Sequence, residues 1–179
     1  MDCDFTRVAV GGLDNFVTEL EKLYQIVDRQ TAALEQRHSA RLNCRRGCSA
    51  CCVDDITVFE VEAENIRQKY PVLLAEDLPS AVGKCAFLDE AGACRIYDAR
   101  PYVCRTQGLP LRWLEEIEEE VYELRDICPL NEAGEAVEEL DEADCWTIGA
   151  AEAELSEMQF KKDGGEMLRV RLRDLILKK

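Results

Sequence analysis

One histidine, His38, stands in a chain of 179 residues, and that scarcity removes several chemistries at once. No Ser/His/Asp set can be built around it, because no serine motif lies near it. A glycine-rich phosphate loop and a dinucleotide fingerprint are both missing. No stretch approaches the roughly 18 apolar residues that a membrane span needs. The N-terminal Met-Asp-Cys-Asp-Phe-Thr-Arg lacks the basic flank and apolar run of a signal peptide, so a cytoplasmic, reduced protein is expected. Internal repeats and low-complexity linkers are also absent, and the length suits one domain, 1–179, with a core of its own. Acidic residues outnumber basic ones, 37 to 22. The formal net charge of −15 argues against nucleic acid or an anionic membrane as partner.

What the chain has instead is cysteine. Ten occur, at positions 3, 44, 48, 51, 52, 85, 94, 104, 128 and 145. That density is below that of a small secreted disulfide scaffold, so in a reducing compartment the clustered thiols are expected to ligate rather than pair. The first block is Cys44-Arg-Arg-Gly-Cys48-Ser-Ala-Cys51-Cys52, whose spacing puts several thiolates within one loop's reach. Adjacent residues in extended chain project oppositely, so Cys51 and Cys52 are expected to serve different faces. One of the two would reach a second metal or stand as a buried thiol. Cys85, Cys94 and Cys104 follow at loop spacing, separated by Gly92 and Pro101, and Cys128-Pro129 adds an eighth candidate. Thiolates this close repel one another unless a soft-ligand metal binds them. Zinc, or iron with sulfide as a [4Fe–4S] cluster, suits an all-thiolate set. Eight thiolates suffice for two four-cysteine sites, or for one cluster with spare cysteines.

Charge is distributed unevenly. Residues 115–144 hold fourteen Asp or Glu against Arg125 alone, a local −13. Such a run is expected to be a solvated face, the alternative being a dock for a basic protein partner or for the arginine-rich site. The cysteine segments are the basic ones: Arg37, Arg41, Arg45 and Arg46 precede or interleave the first block, and Arg95, Arg100, Arg105 and Arg112 attend the second. Cations beside thiolates offset their charge; an anion pocket beside the metal is the sharper alternative. Arg100 and Arg105 are the candidate cofactor-contacting residues, on metal-bound sulfur or on an anion.

Periodicity predicts a mainly α fold with irregular Cys-rich loops and little strand, organised around the cysteine site. A long amphipathic helix is expected over 13–42, capped by Asp14 or Asn15 and feeding into Cys44. Thr57-Val-Phe-Glu60 has the form of a capping box opening a helix to about Tyr70, with a short helix or turn at 73–83 after Pro71. Residues 84–110 look irregular, held by metal. Residues 111–126 suit a helix by propensity, yet Val121-Tyr-Glu-Leu alternates as a strand does, and the type stays open. Asp141 or Asp144 would cap a helix through about Phe160, Asp163-Gly-Gly is a turn, and 167–177 ends as a short apolar element. Tyr97 and Tyr102 are expected to pack. His38 is expected to be no ligand, Cys3 to be a free terminal thiol and Cys145 a buried thiol on a helix.

The C-x3-C-x2-C spacing together with Gly164-Gly165-Glu166 imitates radical S-adenosylmethionine enzymes. The chain is too short and too poor in strands to build their barrel. A second likeness is more specific. Cys44-x3-Cys48-x2-Cys51-Cys52, then Cys85-x-Phe87-Leu88, then Gly92-x-Cys94-x-Ile96-Tyr97-x-x-Arg100-Pro101-x-x-Cys104-Arg105 resembles the YkgJ family, named for its CxxCxxCC pattern and described as zinc- or iron-chelating. The likeness covers Cys44 to about Gly108, a metal-binding core of 44–108, and fits Cys128-Pro129 more loosely. Ala86 departs from it where relatives carry proline. The resemblance implies a small cytoplasmic metal-binding protein with zinc or iron on Cys44, Cys48, Cys51, Cys52, Cys85, Cys94, Cys104 and Cys128. A similar cluster in flagellin lysine methylases implies the alternative of an iron–sulfur protein in electron transfer or protein modification. A metal-free thiol redox switch is the third reading. No catalytic set is visible beyond the cysteines.

Overall fold

Apolar residues at helical spacing begin the fold. Leu20, Leu23, Tyr24, Val27, Thr31 and Leu34 are all buried on one face of α1 (Gly11–Arg37). The computed structural model describes residues 11–176, so Cys3 lies outside the described residues. Asp14 and Asn15 fall inside α1 rather than at its start. The helix also stops short of Cys44: His38 N–H closes the last turn on the Leu34 carbonyl at 2.9 Å, and Arg41 N–H then bonds the His38 carbonyl at 2.9 Å.

The expected helix start at Thr57 is corrected. Thr57–Phe59 forms β1, which pairs antiparallel with β5 (Arg169–Arg171), because Thr-Val-Phe favours extended chain and finds a partner there. Helix α2 (Glu60–Lys69) begins three residues later, with the Glu62 carboxylate accepting the Phe59 N–H at 3.2 Å. Pro71 opens α3 (Pro71–Glu76), earlier and shorter than expected. Residues 84–110 are largely irregular, apart from a 3-10 turn at Tyr97–Ala99, the single helical turn α4 (Tyr102–Arg105) and one bridge, Leu88 to Cys94.

The expectation of a mainly α fold with little strand is overturned. The described residues are 45% helix and 15% strand, in two small sheets. Most of the strand lies where the type was open: β2 (Leu111–Ile117) and β3 (Glu120–Asp126) pair in full antiparallel register from Leu111–Asp126 to Ile117–Glu120. Their two-residue turn, Glu118-Glu119, has positive φ at both positions, 52° and 69°, which suits the right-handed twist of a tight hairpin but uses residues that rarely adopt it. The helix expected from Asp141 or Asp144 is corrected too. Glu142–Asp144 makes only a 3-10 turn; Trp146–Thr147 becomes β4, parallel to β2; and α5 (Ala150–Asp163) starts after Gly149, whose N–H the Glu152 carboxylate accepts at 2.7 Å. Gly164 terminates α5 in the left-handed conformation, as the Asp-Gly-Gly turn predicts.

Two apolar clusters organise these parts. In one, α1, α4, α5 and β4 meet through Leu20, Val27, Tyr102, Trp146 and Leu155. In the other, Val58, Ile66, Phe87, Ile96 and Ile176 surround buried Cys85, with Cys52 and Cys94 packed against them. Thiols therefore belong to the hydrophobic core itself.

Candidate metal centre

Two successive tight turns curl the first cysteine block. Cys48 N–H bonds the Arg45 carbonyl at 2.8 Å, and Cys52 N–H bonds the Ser49 carbonyl at 3.0 Å. Between them Gly47 (φ +87°) lies so close to the Ala91 carbonyl that a Cβ would stand 3.2 Å from it, seating this loop on the 89–92 turn. Cys85 N–H bonds the Cys52 carbonyl at 2.9 Å and joins the two blocks through backbone.

The thiols fall into two neighbourhoods. Cys44 lies within electrostatic reach of Cys48, Cys128 and Cys51. Cys52 feels Cys85 and Cys104, Cys94 feels Cys85, and Cys104 feels both Cys85 and Cys94. Cys51 touches the second group as well and hydrogen-bonds the Cys52 thiol, so the vicinal pair is the join. That bond draws Cys51 down to about 6 and pushes Cys52 up, since one proton is shared. Burial, with the neighbouring thiolates, pushes Cys104 up to about 12. Burial also raises Cys44, Cys85 and Cys94. Cys44 and Cys51 are exposed, Cys48 and Cys128 half-buried, and Cys85 buried.

Side chains absent from the motif hold these loops. Asn131, fully buried, donates to Cys44 Sγ at 3.4 Å and to the Gly108 carbonyl at 2.8 Å, and accepts the Asn43 N–H at 2.8 Å. Arg41 clamps the same segment through the Asn131 and Glu135 carbonyls, both at 3.0 Å. Gly108 (φ +93°) leaves room for Cys44; a Cβ there would overlap its Sγ. On the other side Arg173 pairs with Asp54 and donates to the carbonyls of Ser80, Ala81 and Lys84 at 3.0, 3.1 and 2.9 Å, while Asp54 accepts the Gly83 N–H at 3.1 Å. The loop leading into Cys85 is thereby fastened to the segment leaving Cys52. The turn carrying Cys104 is fixed from α2, where buried Glu62 accepts Tyr102 N–H at 2.8 Å and Tyr24 hydroxyl at 2.9 Å. Burial raises Glu62 despite these donors. Nothing local in the sequence marked Asn131, Arg173 or Glu62, since each acts on chain far from it.

Arg105 donates to both carboxylate oxygens of Asp28, at 2.8 and 2.6 Å, and lies 3.9 Å over the Tyr24 ring. Its remaining bonds reach the Arg100 and Asp98 carbonyls, at 3.0 and 3.2 Å, so it anchors the Cys104 turn to α1. Arg100 stacks 4.2 Å over Tyr97 and acts electrostatically on Cys94. Tyr102 is buried and receives the Trp146 indole N–H at 2.9 Å, whereas Tyr97 is exposed rather than packed in the core. His38 Nε2 donates to the Asp144 carbonyl at 2.6 Å, well used without a metal. Cys145 is buried, though in a turn and not on a helix. A cavity of about 600 Å3 opens beside Cys48, lined by Arg45, Arg46 and Ser49 among others.

All nine described cysteines are free thiols. Among the described residues no three His, Cys, Asp or Glu side chains converge as a finished metal cage. The fit to zinc or iron is one of donor chemistry: soft thiols, gathered in two neighbourhoods, whose desolvation and mutual repulsion a bound cation would relieve. Among the described residues no helix is long and apolar enough to cross a membrane. Residues 43–129 match the CxxCxxCC family model, described as a putative zinc- or iron-chelating domain. No curated protein and no solved structure matches the chain.

Proposed function

We infer, from the premise that residues 43–129 belong to the CxxCxxCC zinc- or iron-chelating family, that the eight cysteines hold metal as two thiolate sets. The inner set is Cys52, Cys85, Cys94 and Cys104; the outer set is Cys44, Cys48, Cys51 and Cys128. The observation supporting this reading is the grouping of the thiols by mutual reach, Cys44 with Cys48 and Cys128 on one side and Cys52, Cys85, Cys94 and Cys104 on the other, with Cys51 within reach of both. A dication bound by four thiolates leaves a net −2 charge. Arg95 and Arg100 near the inner set, and the Asn131 amide on Cys44, supply the donors and positive charge that offset it. Bound metal would supply cross-links between loops that have little regular secondary structure, so folding and metal binding would be coupled.

An iron–sulfur protein active in electron transfer or protein modification is the second reading. It is favoured by the openness of the outer set, where exposed Cys44 and Cys51 leave an edge accessible to a partner. Metal and sulfide content, with a visible spectrum on protein purified without oxygen, tests both. Two zinc per chain and no colour support the first. Iron with acid-labile sulfide and a broad band near ~400 nm, from sulfur-to-iron charge transfer, supports the second. Protein free of both metals after anaerobic purification and refusing added zinc or iron would overturn each.

A further inference from the structure

The arginines around the thiols do not behave alike. Arg41, Arg95, Arg105 and Arg173 are each committed to backbone carbonyls or carboxylates. The side chains of Arg45 and Arg46 make no hydrogen bond or ion pair among the described residues, although the chain carries a net −15. Both are exposed and both line the cavity beside Cys48, which has no acid in its wall. Its volume, about 600 Å3, suits a small organic ligand rather than a lone ion. Ser49 adds a hydroxyl to the wall.

We propose that this cavity receives a polycarboxylate anion, the carrier in which metal reaches the outer thiols. The proposal rests on the metal-binding reading above. A bare dication approaching Cys48 would meet two uncompensated guanidinium charges; an anionic chelate of the same metal would be drawn to them. Guanidinium forks match carboxylates in paired hydrogen bonds, which a phosphate-free chelator of several carboxylates can satisfy at both arginines. Delivery is a ligand exchange. The Cys48 and Cys51 thiolates take the places of carboxylate oxygens, metal–oxygen bonds breaking as metal–sulfur bonds form. The thiol protons pass to the freed carboxylates or to water, and no electron is transferred.

The test uses the full chain, reduced and metal-free, as wild type and as the double variant Arg45→Ser/Arg46→Ser, with citrate as the probe. Calorimetric titration should show citrate bound by the wild type and bound roughly tenfold more weakly by the variant, as expected for losing two surface charge contacts. Stopped-flow zinc uptake from zinc citrate should slow by a similar factor in the variant, while uptake from aquated zinc does not slow. Equal final zinc per chain in the two proteins shows that the variant is folded and its thiols competent. Equal citrate affinity in both proteins, or none in the wild type, overturns the proposal. Citrate binding lost in the variant with zinc uptake from citrate unchanged overturns the delivery role. If neither protein takes zinc from any source, the metal-binding reading fails, and with it delivery, while the citrate titration still reads the cavity by itself.

Discussion

Cys85 lies within an apolar cluster that includes Phe87, Ile96 and Ile176, and Cys52 and Cys94 pack against it. Cys44, Cys48, Cys51 and Cys128 rest instead on polar supports, with Asn131 and Arg41 holding one side and an open cavity on the other. Burial raises thiols in both groups, and in the inner one it pushes Cys104 up to about 12. A metal at the inner set would displace protons from thiols that burial makes costly to ionise, and so would be bound up with the core. At the outer set it meets thiols already half in water. On the proposed reading, the inner set would be the structural half of the centre and the outer set the half where exchange is easy.

Substituting one cysteine from each set separates them most. Cys104→Ser should remove about one metal equivalent and lower Tm by more than roughly 10 °C, because metal binding there is folding energy. Cys44→Ser should remove an equivalent with a shift of only a few degrees. Equal shifts, read by calorimetry alongside metal analysis, would end the distinction. Asn131→Ala comes next. It leaves the buried Gly108 carbonyl and the part-buried Asn43 N–H without their partner, for a cost of about 2–3 kcal/mol, and metal should be lost to a chelator from the outer set first. Denaturant unfolding and a zinc-indicator competition give the two numbers.

Gly108→Ala asks less of the fold but aims at the same half. A non-glycine residue at φ +93° costs about 1–2 kcal/mol, and its methyl would displace Cys44 Sγ, so the outer metal should exchange faster with the inner one unaffected. The smallest effect lies at the support of the inner set. The folded pKa of Glu62 is raised by burial above its unfolded value. Its contribution is therefore fully present below the unfolded pKa and is lost as pH rises through the folded one. Tm of the wild type should fall relative to Glu62→Gln as pH climbs from about 4.5 to 7; parallel curves would show that Glu62 does not change charge there.

Where structure follows from nearby residues, it was legible: the buried stripe of α1, the Gly164 stop, the loop character around the cysteines. The hairpin was not, because its turn is Glu118-Glu119 in place of the glycine or asparagine that usually signals one. The cap assigned to Thr57 failed for a different reason, since β5 lies more than a hundred residues away and only pairing reveals it. The two cysteine blocks could be read from spacing, but that Cys51 reaches both neighbourhoods could not. Their supports could not be read, because Asn131, Glu62 and Arg173 each act across the fold.

The Arg173 clamp has a consequence in time. Its partner Asp54 stands 119 residues earlier, and the Ser80 carbonyl 93 residues earlier. A ribosome therefore displays every clustered cysteine, from Cys44 to Cys128, well before it makes the residue that fastens the loop into Cys85. During that interval the nascent thiols are unguarded, open to oxidation and to whatever metal is nearest. On the proposed reading, the inner set would be completed only after Arg173 has been made, and the supply of reductant would matter most before that point.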